Sequence, residues 1–254
     1  MLLEGKKGLV LNVTNKNSIG WGIAEALREQ GAQVGIGAQN EAMLGRVNDL
    51  IDGKDGYHPF VIDFTNDEQL ADLPNQVASV YGKIDFFVHS AAFANKDDLV
   101  GRFVDTSRAG FAMALDISAY SLVAASKALE PVFNEDASIV TVSYLGSTRA
   151  VGNYNVMGVA KAALESCVRY LALDFGDRGI RVNTISPGPV NTISARGVSG
   201  LTNMIKYVEE RAPLKRPYGI AECGGSAVYL CSDLSKGVTG QIVFIDSGYN
   251  IVGM

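Results

Sequence analysis

Short apolar runs of strand length alternate with longer amphipathic stretches of helix length from one end of this chain to the other. Several of the short runs are apolar at every position, as expected for strands of a parallel sheet that helices cover on both faces. The pattern predicts strands at 8–13, 33–37, 58–62, 84–89, 138–143, 181–186 and 241–246.

The longer stretches have the residue spacing of amphipathic helices. They predict helices at 19–30, 41–51, 67–81, 110–132, 155–175, 202–211 and 221–231. Strands that alternate with helices over short connections favour an α/β, doubly wound parallel sheet of about seven strands, with helices on both faces. No linker rich in proline, glycine or serine interrupts the series, so we expect residues 1–254 to form a single domain.

In sheets of this kind, ligands bind beyond the carboxyl ends of the strands. The segments at those ends are 13–15, 37–39, 63–64, 90–92, 143–144 and 187–189. We therefore expect the chemically active residues to gather along one edge of the sheet.

Composition and charge exclude some classes of protein but do not identify a reaction. The 254 residues carry a net charge of -5 and a pI near 5.1, which gives no electrostatic case for nucleic-acid binding. The beginning of the sequence lacks the apolar core of a signal peptide, and the longest apolar runs are only strand-length, so we expect no membrane insertion. Two histidines and three scattered cysteines show neither metal-ligand spacing nor a disulfide framework, which favours a cytoplasmic protein without a metal.

The most informative pair of residues is Tyr154 and Lys161. On a helix their spacing is almost two turns, so both side chains would project from one face. A phenol there can donate a hydrogen bond to an oxygen that gains negative charge, while a lysine favours that charge and holds a cofactor hydroxyl. An arbitrary pair of this kind is more often a half-buried aromatic and a solvated lysine, so reduction of a carbonyl or an enone needs the support of further features.

The segment 12–22 follows the first predicted strand and leads into an amphipathic helix. Free N–H groups and the helix dipole favour a pyrophosphate at such a place. The segment lacks the G-x-G-x-x-G fingerprint, and Ser18 is equally suited to cap the helix.

The second strand ends at Gln39, and Glu41 follows with no arginine or lysine nearby to hold a 2′-phosphate. This favours NADH over NADPH, because a carboxylate would repel the extra phosphate. Asp63, at the end of the third strand, is equally suited to accept a hydrogen bond from adenine or to cap the helix that follows.

With these residues assembled, the chain resembles the short-chain dehydrogenase/reductase superfamily in the segments 185–190 and 239–246. Most of that superfamily has Tyr-x3-Lys, whereas the Tyr-x6-Lys of this chain, within the segment 143–165, is similar to the bacterial NADH-dependent enoyl-[acyl-carrier-protein] reductases. Further matches lie at 18–19, 89–94 and 116–121. The resemblance covers nearly the whole chain and implies a Rossmann-like fold.

The resemblance also implies a reaction, in which NADH transfers a hydride to the β-carbon of a trans-2-enoyl thioester during fatty-acid elongation. Tyr154 would hydrogen-bond the thioester oxygen, Lys161 would bind the nicotinamide ribose, and Tyr144 would be a second active-site tyrosine. Ala94 would lie near the substrate. The implied cofactor contacts are Asn12, Ser18, Ile19, Gln39, Asp63, Phe64, Ala91, Lys161, Val190, Asn191, Thr192, Ile193 and Ser194.

The chain departs from the family pattern at a few places. Asn12 stands where the family usually has glycine, and asparagine tolerates a positive φ better than most residues but still carries a β-carbon. Ala91 and Phe64 are also atypical. None of these is one of the three catalytic candidates, so we expect retained chemistry with altered cofactor affinity.

The resemblance implies a substrate-binding lid around 191–206, an acyl-carrier protein as partner and a homotetramer packed through the helices 110–132 and 155–175. The small residues of the lid segment also suit a mobile surface loop with no chemical role.

An acidic carrier needs a basic patch, for which the candidates are Arg196, Lys206, Arg211, Lys215 and Arg216, although these residues are equally suited to be ordinary solvated charges. The candidates for the apolar wall of an acyl pocket, which are equally suited in part to be core residues, are Phe93, Tyr144, Met157, Ile193, Val198 and Ile205.

Two other functions fit parts of the sequence. A ketone or alcohol reductase is the usual activity of the superfamily, but the Tyr-x6-Lys spacing and Tyr144 argue against it. A non-catalytic NAD-binding protein has Asn12 as its only support.

Overall fold

Seven parallel strands form the centre of the computed structural model, which describes residues 1–192, 200–216 and 218–253. The strands lie in the order β3-β2-β1-β4-β5-β6-β7, so the sheet is doubly wound from β1 outwards in both directions, as predicted. Their bounds are β1 Lys7–Leu11, β2 Gln33–Ala38, β3 Tyr57–Val61, β4 Ile84–His89, β5 Phe133–Val142, β6 Arg181–Pro187 and β7 Ile242–Ile245.

Helices connect the strands and cover both faces of the sheet. All seven predicted helices are present, with ends that shift by at most a few residues, and the structure adds one short helix, α4. The helices are α1 Ile19–Glu29, α2 Glu41–Ile51, α3 Asp67–Tyr81, α4 Lys96–Leu99, α5 Arg108–Leu115, α6 Ser121–Leu129, α7 Val156–Phe175, α8 Leu201–Arg211 and α9 Ile220–Cys231.

Two apolar layers hold this arrangement together, one on each face of the sheet. Leu73 of α3, Leu122 of α6 and Leu164 of α7 pack with Ile139 on one face. On the other face, α1, α2 and α9 pack against the sheet through residues such as Ile23. Because both faces are buried, several strands, such as β2 and β7, are apolar at nearly every position, as the sequence pattern indicated, whereas β6 also carries buried polar residues.

The predicted helix 110–132 is one continuous path interrupted by a π-helical turn at Asp116–Tyr120. The stretch Arg108–Val132 is long enough and apolar enough to cross a membrane, and 44% of its most apolar 18-residue segment is buried in the fold. Because the core helix of a globular protein passes the same test, this is weak evidence, and the absence of membrane insertion stays a prediction.

Candidate active site

One cavity of about 440 Å³ lies beyond the carboxyl ends of the central strands. It is open to solvent, and its described lining contains two lysines and no carboxylate. Its lining comes from four strand ends, from α1, α4, α7 and from the beginning of α8. The lining residues are Asn12, Thr14, Ser18, Ile19, Ser90, Ala92, Phe93, Ala94, Lys96, Leu99, Val142, Ser143, Tyr144, Val151, Tyr154, Met157, Lys161, Pro187, Gly188, Pro189, Val190, Thr192, Leu201 and Met204.

Asn12 turns the chain out of β1 and into this cavity. Its φ of 68° lies in the left-handed region, which ends the strand at Leu11, earlier than predicted. The Asn12 side-chain Nδ2 donates a hydrogen bond of 3.2 Å to the carbonyl of Ser90, beyond the end of β4. The side chain therefore ties the loop after β1 to the loop after the neighbouring strand.

Ser18 begins helix α1 at the cavity wall. Its hydroxyl accepts from the backbone N–H of Trp21 at 3.2 Å and donates to the carbonyl of Asn15 at 2.8 Å. The expectation that Ser18 caps the helix is therefore confirmed, and the cap also faces the cavity. The first turn of α1 contains no acidic residue, so an anion placed there would meet the positive end of the helix without repulsion from that turn.

Gln39 and Asp63 meet beside this region, at the ends of β2 and β3. Gln39 Nε2 donates to Asp63 Oδ2 at 3.3 Å, while Asp63 Oδ1 accepts from the backbone and hydroxyl of Thr65. These hydrogen bonds lower the pKa of the Asp63 carboxyl against the opposing effect of burial, which is the larger single influence. The alternative role of Asp63 as the cap of α3 is wrong, because Asn66 accepts the hydrogen bonds at that helix start.

Tyr154 does not lie on helix α7, which corrects the argument from helical spacing. The helix begins at Val156, and Tyr154 occupies a turn between Asn153 and Asn155, whose φ values are 61° and 37°. The turn carries the phenol ring into the cavity that Lys161 also lines. The two side chains share the site because a turn, rather than a helix face, presents the first of them.

A tight loop after β5 packs on the Tyr154 ring. A β-carbon on Gly146 would lie 2.6 Å from Tyr154 Cδ1, so only glycine permits this approach. The Tyr144 ring meets the Tyr154 ring edge-on, with centroids 4.8 Å apart. Burial raises the pKa of Tyr144 to about 12, and burial also raises the pKa of Tyr154, with smaller contributions from Tyr144 and Glu165. Both phenols therefore keep their protons at neutral pH.

Lys161 lies on α7 and is 4% exposed. Its ammonium donates a hydrogen bond of 2.7 Å to the carbonyl of Val142 at the end of β5. Burial lowers the pKa of Lys161 to about 8, and Glu165 acts in the opposite direction. The lysine is thus mostly protonated at neutral pH while it stands in a largely dry site.

His89, at the end of β4, is buried next to this site. Its ring nitrogens contact the hydroxyls of Thr141 at 3.0 Å and Ser121 at 2.8 Å. Burial, and then the charge of Lys161, lower the pKa of His89 to about 3, so the ring is neutral. The Phe64 ring lies 5.4 Å from the His89 ring, between centroids, and closes this layer on the side of β3.

The cavity gathers most of the predicted site residues, and the rest fall into two groups. Asn12, Ser18, Ile19, Ala94, Tyr144, Tyr154, Lys161, Val190 and Thr192 line it. Gln39, Asp63, Phe64, Ala91 and Asn191 lie at the same edge of the sheet but outside the cavity lining. Ile193 and Ser194, together with Arg196 and Val198 of the predicted lid, lie outside the described residues.

The sequence analysis missed part of the cavity wall. Lys96 and Leu99 belong to α4, which was not predicted, and Leu201 and Met204 stand one turn apart at the beginning of α8. The i, i+3 spacing of the last pair was a readable signal for an apolar helix face. Of the predicted apolar wall, Phe93, Tyr144 and Met157 line the cavity, whereas Ile205 does not.

Comparisons with known proteins agree with this geometry. A family model described as Enoyl-(Acyl carrier protein) reductase matches residues 13–250. Enoyl-[acyl-carrier-protein] reductase 1 (NADH) of Rhizobium meliloti is 47% identical over 253 residues, covering 100% of this chain and 93% of the relative. The corresponding NADH enzyme of Nostoc sp. is 46% identical over 255 residues, covering 99% of each chain.

Solved structures show the same likeness in three dimensions. The Bacillus cereus enoyl-acyl carrier protein reductase, with NADP+ and an indole naphthyridinone, has a TM-score of 0.97 at 46% identity and covers 100% of this chain and 99% of its own. The Anaplasma phagocytophilum enzyme, in complex with NAD, has a TM-score of 0.95 at 41% identity and covers 100% and 97%. The chain belongs to the enoyl-[acyl-carrier-protein] reductase family.

Proposed function

We propose that this protein reduces the trans-2 double bond of enoyl thioesters carried on acyl-carrier protein, with NADH as hydride donor, during fatty-acid elongation. The observation that carries this proposal is the pairing of a protonated phenol, Tyr154, with a buried lysine, Lys161, in one apolar cavity. The names of the relatives support both the reaction and the cofactor.

The residues present fit a bound dinucleotide. The N-terminus of α1 lines the cavity at Ser18 and Ile19, where its free backbone N–H groups would bind a pyrophosphate. Lys161, which also lines the cavity, would hold the nicotinamide ribose. Gln39 and Asp63 would face the adenosine. Glu41 supports NADH over NADPH, because its carboxylate would repel a 2′-phosphate. Phe64, Ala91 and the run 190–194 complete the proposed cofactor contacts.

In the proposed reaction the bound NADH supplies a hydride to the β-carbon of the substrate. Tyr154 donates its O–H to the thioester oxygen, which becomes more negative as the hydride arrives, and so stabilises the transition state more than the substrate. Lys161 would add a positive charge nearby, and Phe93 and Met157 would give the alkene an apolar wall. A proton reaches the α-carbon in the last step, and no covalent bond to the protein forms.

The described part of the proposed lid includes the first six residues of helix α8, 201–206. Leu201 and Met204 face the cavity, whereas Lys206 is exposed on the same helix. We propose that Lys206 and Arg216 contact the acidic carrier protein. Arg211 and Lys215 are less available, since Arg211 stacks on Tyr207 and pairs with Glu210, while Lys215 donates to the Glu210 carbonyl.

The remaining assignments are proposals of the same kind. We propose one domain over residues 1–254, a cytoplasmic location and a homotetramer. The exposed apolar side chains Phe111 and Met113 on α5, and Tyr170 and Leu173 on α7, support packing between subunits through these helices.

The decisive experiment follows absorbance at 340 nm with NADH or NADPH and either crotonyl-CoA or crotonyl-acyl-carrier protein. Oxidation of NADH that is lost in Tyr154→Phe supports the proposal. Turnover of acetoacetyl thioesters in place of crotonyl thioesters would identify a ketone reductase instead. Tight NADH binding without turnover of any carrier-bound substrate would identify a non-catalytic NAD-binding protein.

A further inference from the structure

A buried carboxylate lies on the same helix as the active-site lysine. Glu165 follows Lys161 by one helical turn on α7 and is 5% exposed. Side chains with this spacing lie on one face of a helix, with β-carbons about 6 Å apart. A carboxylate that is almost fully buried is costly unless it has partners, so its presence beneath a reaction site needs a cause.

One partner of Glu165 is Ser143, at the end of β5. The Ser143 hydroxyl donates a hydrogen bond of 2.6 Å to Glu165 Oε1. On the adjacent strand β6, Arg181 and Asn183 bond to the α9 side of the sheet, so Thr184 and Ser186 point to the α7 side. Their buried hydroxyls have no partner in the described structure, which leaves a polar floor under α7 with room for further hydrogen bonds.

Glu165 is also the acidic group that faces Lys161. The other ionisable side chains around that lysine are His89, which burial keeps neutral, and the phenols of Tyr144 and Tyr154, which keep their protons. Asp116, on the π turn that packs against α7, is exposed to solvent. Within the described residues, no direct ion pair joins Glu165 to Lys161. The carboxylate therefore acts on the ammonium by electrostatic attraction at longer range, which the buried surroundings screen only weakly.

We propose that Glu165, held by Ser143, is a positioning residue that keeps the Lys161 ammonium charged and directed at the Val142 carbonyl; its importance for catalysis rests on the proposed function. Apart from Glu165, the surroundings of Lys161 offer its ammonium a neutral carbonyl as hydrogen-bond partner, and the side chain is almost fully buried. Removing the carboxylate leaves the ammonium without a nearby negative charge, so the lysine loses its proton at lower pH.

The direct test is an NMR titration of ¹³C-labelled lysine in the protein without cofactor, with the Lys161 signal assigned from Lys161→Arg. We expect a midpoint near pH 8 in the parent protein. Glu165→Gln, which keeps the shape and the ability to accept from Ser143, should lower the midpoint by about one unit. Glu165→Asp should restore most of the shift, and Ser143→Ala should move the midpoint in the same direction as Glu165→Gln but by less.

Asp174→Asn is the matched control, since it removes one carboxylate from an exposed position near the far end of the same helix. The inference is overturned if Glu165→Gln and Asp174→Asn leave the Lys161 midpoint equally unchanged, or if Glu165→Gln raises it. If Glu165→Gln fails to fold, the Ser143→Ala titration decides the same question, and a Lys161 midpoint as unchanged as that of Asp174→Asn overturns the inference.

Kinetics then separate this inference from the proposed function. The pH dependence of kcat/KM for NADH reports ionisations of the free enzyme, and its alkaline limb should move to lower pH in Glu165→Gln while activity near pH 6 is kept. A shifted titration without crotonyl-CoA reduction in any variant would reject the proposed function alone. Reduction of crotonyl-CoA with an unshifted titration would reject the role of Glu165 alone.

Discussion

The ring of Tyr144 stands edge-on to the ring of Tyr154, with the planes inclined by 66° and the centroids 4.8 Å apart. Tyr144 lies two residues beyond the end of β5, and Tyr154 occupies the turn before α7, so the contact packs that turn against the edge of the sheet. In the proposed mechanism the two phenols therefore differ: Tyr154 would donate to the substrate, and Tyr144 would support the Tyr154 ring.

Substitution of each tyrosine by phenylalanine should separate these parts. Tyr154→Phe removes the donor to the developing oxyanion and should lower kcat by about 10²-fold or more. Tyr144→Phe keeps the edge-on ring contact and should cost clearly less. Steady-state kinetics with crotonyl-CoA measure both, and an equal loss in the two variants would contradict this division.

Asn12 should support cofactor binding through its hydrogen bond to Ser90. Asn12→Gly keeps access to the left-handed φ but removes the bond that ties the loop after β1 to the loop after β4, and this looser loop should raise the Kd for NADH about threefold. The KM for crotonyl-CoA should not change. Fluorescence titration with NADH measures the effect.

Asn12→Ala provides the comparison, because alanine loses the bond and also strains the backbone at a φ of 68°. It should lower the free energy of unfolding by about 1 kcal/mol relative to Asn12→Gly. Equal stability of the two variants would show that the turn relaxes to another backbone conformation.

Cofactor selectivity should depend on the ends of β2 and β3. The double substitution Gln39→Arg with Glu41→Lys adds positive charge where a 2′-phosphate would lie and should lower the KM for NADPH about tenfold or more. The KM for NADH should change little. A parent protein that already uses NADPH as well as NADH would contradict the assignment of this region.

His89 should make the folded protein sensitive to acid. Its pKa is near 3 in the fold, below the ordinary 6.5, so between these values the unfolded chain binds a proton that the folded protein does not. The free energy of unfolding should therefore have its full value above pH 6.5 and should decrease as the pH drops, by about 2 kcal/mol near pH 5.

His89→Gln keeps polar contacts in the buried site but cannot titrate in this range. The variant should be less stable at pH 7 and should lose less stability than the parent between pH 6.5 and pH 5. Chemical denaturation at several pH values measures both slopes, and identical slopes would place the acid sensitivity elsewhere.

The sheet and its helices could be predicted from the sequence because hydrophobic periodicity is a local signal. The predicted ends of the fifth and sixth strands, near Ser143 and Pro187, also indicated where the cavity lies. It placed the end of β1 two residues late, since the left-handed φ of Asn12 cannot be read from an apolar run. The short helix α4 was missed because four residues carry no helical period.

Tyr154 and Lys161 do line one cavity, but not because both lie on one helix face. A helix face was expected, whereas a turn held by Asn153 and Asn155 presents the phenol. The role of Glu165 was not found at all, because only the packing of α7 against β5 and β6 reveals that its carboxylate is buried under the lysine.

The turn before α7 also separates two properties that a helix would couple. If both residues lay on one helix, the helical periodicity would fix the position of the phenol relative to the lysine, and neither could move without the other. Here the lysine is set by α7 and the phenol by a three-residue turn packed on Gly146. In the proposed mechanism, lengthening or shortening that turn would direct the Tyr154 phenol toward a differently placed substrate oxygen while leaving Lys161 in position, which makes the turn a natural point for the evolution or redesign of substrate choice.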